Sequence, residues 1–138
     1  MKKRTKTPAK KTAKKTKSTR TVKTNPSLEL AKKIAHAAGK IKAKEISILD
    51  LSKLGTFTDY FVVASGTSDR HVEAIADSVA VEMKKLGFRP IGIEGYDHSQ
   101  WIIVDFGDVV AHIFYQPLRE LYAIEKLWAD AKRLRVKY

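Results

Sequence analysis

Trp101-Ile102-Ile103-Val104-Asp105-Phe106-Gly107-Asp108-Val109-Val110-Ala111-His112-Ile113-Phe114-Tyr115 consists of two apolar runs hinged on Gly107 and Asp108. Glycine tolerates the positive φ that a two-residue hairpin turn demands, so Gly-Asp between strand-like runs predicts a β-hairpin. With that turn, Phe106 pairs with Val109, Asp105 with Val110, Ile103 with His112 and Trp101 with Phe114. Period-two alternation then puts Ile102, Val104, Phe106, Val109, Ala111, Ile113 and Tyr115 on one uniformly apolar face, which reads as core. Trp101, Ile103, Asp105, Val110, His112 and Phe114 share the other face, where an indole, a carboxylate and an imidazole sit among apolar groups. If that face is buried, its polar groups need partners. If it is open, aromatic anchors with a few charges suit a protein-binding surface. The residues alone leave both readings standing: a docking face, or a face covered by a helix with Trp101 packed beneath.

The flanking segments set the hairpin in an α/β layer. Upstream, Asn25 or Ser27 caps a helix beside Pro26, and Leu30, Ala31, Ile34, Ala35 and Ala38 form a helical stripe that stops at Gly39. Residues 45 to 50 alternate through Ile46 and Ile48 as a strand, and a break follows at Gly55-Thr56. Tyr60-Phe61-Val62-Val63-Ala64 is a wholly apolar run, expected of a strand buried on both faces, and Gly66 ends it. Thr67 or Ser68 caps a second helix, over residues 68 to 86, with Asp69 at the positive end of its dipole. Its stripe is Val72, Ile75, Ala76, Val79, Met83 and Leu86, and Gly87 closes it. A strand near 89 to 94 completes a βαβ unit that should cross over right-handed. After the hairpin, Pro117 suits a first helical turn, and Ile124, Leu127, Trp128, Ala131 and Leu134 predict a last buried stripe. The antiparallel hairpin makes the sheet mixed. The expected fold is a single-domain α/β layer, a five-stranded mixed sheet flanked by three helices.

Charge divides the chain differently. The 138 residues carry a formal charge of +12, yet residues 1 to 24 hold eleven Lys or Arg and no acid. The domain from 25 to 138 is therefore nearly neutral. The tail is Lys, Thr, Ala and Ser with Val22 its only large aliphatic residue after Met1, so it buries too little apolar surface to offset its ordering entropy and should be disordered. A flexible polycation attracts RNA, DNA or anionic lipid by releasing counterions, and a solvated tail that only aids solubility has the same composition. The chain has no cysteine, which removes disulfides, thiolate nucleophiles and Cys-ligated zinc. No apolar run approaches the ~20 residues of a membrane span, and a soluble cytoplasmic protein with no membrane partner is expected.

Several motifs imitate chemistry. Asp105-Phe106-Gly107 lacks every companion a kinase requires. Gly66-Thr67-Ser68 lies between strand and helix, where amides bind anions, but the phosphate-loop and dinucleotide glycine patterns are both missing. His36, His71, His98 and His112 are not spaced as zinc ligands. Asp105, Asp108 and His112 crowd the hairpin and could bind a divalent ion or move a proton. No serine, cysteine or lysine is evidently activated beside them, and Asp108 belongs to a turn, where aspartate serves the backbone.

Thr58-Asp59-Tyr60-Phe61-Val62-Val63-Ala64-Ser65-Gly66-Thr67-Ser68, Glu94-Gly95, Trp101, Asp105-Phe106-Gly107-Asp108-Val109-Val110, His112-Ile113-Phe114, Arg119, Tyr122, Leu127-Trp128 and Ala131 together resemble the ribosomal silencing factor family, also called the Iojap family or RsfS. The resemblance runs from about residue 27 to about 133 and leaves the tail outside. It implies a nucleotidyltransferase-like topology without that superfamily's chemistry. Active members of the superfamily place acids two apart on one strand, whereas Asp105 and Asp108 are three apart and span a turn. It also implies binding to the large ribosomal subunit through its ribosomal protein fourteen, at the face that meets the small subunit. Subunit joining is thereby blocked and translation falls when nutrients are scarce. Such a mechanism is steric, with no enzyme activity and no cofactor.

Carried onto this chain, the contact surface would use Trp101 and Tyr115 as aromatic anchors, with Asp105 and Asp108 facing basic groups. His112, Arg119 and Tyr122 are further candidates on the neighbouring strand and helix start. Thr58, Asp59, Ser65 and Gly66 match the family too, but capping and turn roles explain them. The tail would add nonspecific contact with ribosomal RNA, and self-association into a homodimer is left open. The alternative is a nucleotide- or metal-dependent enzyme on the same scaffold, resting on Gly66-Thr67-Ser68 and the Asp105, Asp108 and His112 cluster.

Overall fold

Asn25 starts the first element by accepting a hydrogen bond from the Leu28 amide, with Pro26 in the first turn. A computed structural model describes residues 25–135; the Lys-rich tail read from the sequence lies outside them. Helix α1 runs Pro26–Lys40 and buries Leu30, Ala31, Ile34, Ala35, Ala37 and Ala38. It passes through Gly39 instead of stopping there, because Ile41 caps it with an amide bonded to the carbonyls of Ala38 and Gly39. Strand β1 is Lys44–Asp50 and β2 is Tyr60–Gly66, paired antiparallel. Ser68 caps α2, Asp69–Lys85, whose buried stripe is Val72, Ile75, Ala76, Val79 and Met83. Leu86 lies past the end of that helix and is 53% exposed, so it does not extend the stripe.

Strand β3 is Gly92–Glu94, shorter than the expected 89 to 94. Strands β4, Trp101–Asp105, and β5, Val109–Tyr115, form the hairpin in the register read from the sequence: Trp101 opposes Phe114, Ile103 opposes His112 and Asp105 opposes Val110. Strand β2 runs parallel to β5, while β4 is antiparallel to β5 and β3 to β4. Hence β2, α2 and β3 do make a βαβ unit of parallel strands, with β5 and β4 lying between them.

The C-terminal segment differs from expectation. Helix α3, Gln116–Tyr122, ends at Ala123, which adopts a left-handed conformation (φ 49°) and donates its amide to the Arg119 carbonyl. One further turn, α4, Ile124–Leu127, precedes a sixth strand, β6, Lys132–Arg135. Strand β6 pairs antiparallel with β1, Leu134 opposite Ile48, and covers backbone groups that a five-stranded sheet would leave open. The helical stripe through Leu134 therefore does not form: Leu127 is 77% exposed, and Leu134 sits on a strand. The sheet has six strands in the order β3-β4-β5-β2-β1-β6.

Two apolar clusters lie on opposite faces of this sheet. Helices α1 and α2 pack on one face over Ile48, Val62, Ala64, Ile102, Val104, Ala111 and Ile113. On the other, Leu49, Leu51, Val63, Phe114 and Ile124 form a smaller cluster with Phe61, Trp101, Trp128 and Ala131 at its margin. Each fully buried aliphatic or aromatic side chain contributes roughly 1.5–3 kcal/mol, so the larger cluster anchors the sheet and leaves the smaller one to shape what the hairpin presents.

Candidate functional site

The hairpin is a stiff platform because its turn is fixed from several sides. Gly107 has φ +90°, a conformation L side chains rarely adopt, and its amide donates to Asp105 Oδ1 at 2.7 Å. Phe106 N–H donates to the Val109 carbonyl at 2.9 Å, and Asp59 N–H donates to the Asp108 carbonyl at 2.8 Å. Asp105 thus stabilises the turn with one carboxylate oxygen. Asp108 is exposed at its corner.

The mixed face is neither fully open nor fully covered. Phe114 is buried beneath the Trp101 ring, with centroids 5.0 Å apart and planes 23° apart. Tyr122, from the end of α3, flanks both rings, 4.9 Å from Trp101 and 6.3 Å from Phe114, and is 48% exposed. His112 is buried, with Phe61 edge-on at 4.5 Å and Trp128 5.8 Å beyond Phe61. Its Nδ1 accepts the Trp101 indole N–H at 3.1 Å, and its Nε2 is buried with no hydrogen-bond partner. Burial pushes the imidazole down to about 4, against a smaller upward pull from Asp105, so His112 is neutral at pH 7. Around this covered patch, Trp101, Ile103, Asp105 and Val110 stay partly open.

The seven residues singled out from the sequence therefore separate. Trp101, Asp105, His112 and Tyr122 belong to this face, and Asp108 stands at its turn. Tyr115 lies on the opposite face of β5, partly buried against the α1–α2 core. Arg119 is 6% exposed, and all five N–H groups of its guanidinium are engaged inside the protein. Nε and Nη2 bond the Glu125 carboxylate at 3.1 and 2.8 Å; Nη1 bonds Ser65 Oγ at 2.9 Å and the Glu45 carbonyl at 2.6 Å; Nη2 also reaches Ser47 Oγ at 3.4 Å. The Arg119 hydrogen bonds hold the Glu125 carboxyl below its ordinary value. Ser65 is thus an acceptor for Arg119, beyond the turn role read from the sequence, and Ser47 and Glu125 were not singled out at all. An open cleft of about 550 Å³ lies beside this pair, lined by Glu45, Gln116, Glu120, Lys126 and Arg133 among others.

The Gly66-Thr67-Ser68 turn does not offer a free anion cradle. The Thr67 amide donates to His71 Nδ1 at 2.9 Å and the His71 amide to Ser68 Oγ at 3.1 Å. A Cβ on Gly66 would lie 2.9 Å from the Val72 amide, so glycine here permits close packing of β2 on α2. Among the described residues, no group of three or more His, Cys, Asp or Glu side chains could hold a metal ion. No helix among them is long and apolar enough to cross a membrane.

The chain is similar along most of its length to known proteins. A family described as ribosomal silencing factor during starvation, RsfS, matches residues 24–137. The ribosomal silencing factor RsfS of Chromobacterium violaceum is 41% identical over 104 residues, 75% of this chain and 85% of that protein. A Mus musculus protein named mitochondrial assembly of ribosomal large subunit protein 1 is 39% identical over 89 residues, 62% of this chain and 39% of its own length. A crystal structure of a Chromobacterium violaceum protein superposes with a TM-score of 0.72 at 39% identity, covering 80% of this chain and 92% of that one.

Proposed function

Because the chain belongs to the ribosomal silencing factor family, we propose that it represses translation by binding the large ribosomal subunit and keeping the small subunit from joining it. The contact is with ribosomal protein fourteen, under nutrient limitation, in the cytoplasm. The observation that carries this reading is the partly open Trp101–Tyr122 pair, ring centroids 4.9 Å apart, with Asp105 further along the same hairpin face as Trp101, where it fixes the turn. Aromatic anchors that share a face with a carboxylate suit a basic protein surface, since little ordering entropy is lost on docking. The mouse relative's name, which concerns the ribosomal large subunit, supports the choice of partner.

The chemistry is steric occlusion on a nucleotidyltransferase-like scaffold, with no cofactor and no bond made or broken. Trp101, Asp105 and Tyr122 make the contact, with Asp108 at its margin. Tyr115 and Arg119 support the platform from within. The Lys-rich segment 1–24 adds nonspecific, salt-sensitive attraction to ribosomal RNA. The test is subunit joining in vitro: large subunits preincubated with the protein should fail to form complete ribosomes when small subunits are added. Unimpaired joining at saturating protein would contradict the proposal.

A further inference from the structure

Trp101 is a donor-only side chain, and its single N–H is already used inside the protein, at 3.1 Å from His112 Nδ1. An acceptor at Nδ1 fixes the neutral tautomer, so the ring proton sits on Nε2. That second nitrogen is buried without a hydrogen-bond partner, an arrangement proteins rarely retain. His112 is 6% exposed, and its ring is held between Phe61 at 4.5 Å and Phe114 at 6.3 Å. It therefore has little freedom to turn away from the indole.

We propose that His112 is a positioning residue for the docking face: it holds the Trp101 N–H inward, so that Trp101 meets a partner with its ring alone. This rests on the docking function proposed above. The consequence is a statement about the partner's chemistry. A carbonyl or carboxylate placed over Trp101 finds no donor there, whereas a Lys or Arg side chain can lay its stem or its charge against the ring faces of the Trp101–Tyr122 pair. The complementary group is a basic side chain, with Trp101 setting where it lies.

Nitrogen-15 NMR of the full chain tests this, with the two indole signals assigned by Trp128→Phe. Long-range proton–nitrogen correlations should show His112 bare at Nδ1 and protonated at Nε2. In His112→Leu, the Trp101 indole N–H should exchange with solvent about tenfold faster, and affinity for isolated large subunits should fall by about five- to tenfold. His112→Gln, which keeps an acceptor, should recover much of both. A proton on Nδ1, unchanged indole exchange in His112→Leu, or equal loss of affinity in the Leu and Gln variants would each overturn the proposal. If a variant does not fold, the tautomer in the unaltered protein decides. If the unaltered protein binds no large subunits, the docking function fails, while tautomer and exchange still decide whether His112 holds Trp101.

Discussion

Arg119 Nη2 lies 2.8 Å from the Glu125 carboxylate, and the same guanidinium bonds the hydroxyls of Ser47 and Ser65 and the Glu45 carbonyl. One side chain from α3 thus ties α4, β1 and β2 together on the sheet face that also carries Phe114 and Trp101. Replacing one member of a buried pair leaves the other without its partner, which typically costs about 3–5 kcal/mol. Arg119→Leu should lower stability by about that amount in urea titrations. Arg119→Lys should recover only part, since an ammonium supplies three donors where five are used.

Acid should weaken the fold in two stages. His112 falls from 6.5 to about 4 on folding, so below pH 6.5 the unfolded chain binds a proton that the folded chain refuses. Stability is then lost as pH drops from about 6.5 toward 4, by at most about 3 kcal/mol. Glu125 acts lower down. Its folded value is depressed by Arg119, so its contribution is present above the ordinary carboxylate value and lost as pH falls below it. Urea titrations between pH 7 and 4 should show a shallower decline in His112→Gln, and an identical decline would contradict the assignment.

Gly95 and Gly92 give a contrasting pair. Gly95 has φ +100°, and a Cβ there would lie 2.1 Å from the Trp101 carbonyl oxygen. Gly95→Ala should destabilise by roughly 3 kcal/mol or more. A Cβ on Gly92 meets nothing within 4 Å, and Gly92→Ala should stay within about 0.5 kcal/mol of the parent. Thermal unfolding of the two variants checks the difference.

Residues 1 to 24 carry eleven basic side chains and no acid. Deleting them should weaken co-sedimentation with large subunits and flatten its dependence on salt, since fewer counterions are released. The domain alone should still bind. An unchanged salt slope would remove RNA contact from the tail's role.

The hairpin was legible because its information is local. Gly-Asp fixes the turn, the turn fixes the register, and alternation then separates Ile102 and Val104 from Trp101 and Asp105. The C-terminal segment was not legible for the opposite reason. Ile124, Trp128 and Ala131 fit a helical period as well as they fit a turn that folds over Phe114 and Phe61, and nothing local marks Ala123 for a left-handed φ. Arg119 was read as a surface group because its partners lie in β1, β2 and α4, distant in sequence except for Glu125. Whether the mixed face is covered or open could not be read from alternation, and the face is partly covered: Phe61, backed by Trp128, shields His112, while Trp101 and Asp105 stay partly open.

The most direct test is equilibrium binding of the full-length protein to isolated large subunits at fixed salt, comparing the parent with Trp101→Ala and Asp105→Asn after confirming that each variant folds. Asn keeps the acceptor for the Gly107 amide while removing the charge. Loss of a central aromatic anchor predicts a drop of about 30-fold or more for Trp101→Ala, with a smaller loss for Asp105→Asn. Parent-like affinity in both folded variants would contradict the assignment of this hairpin face as the ribosome contact.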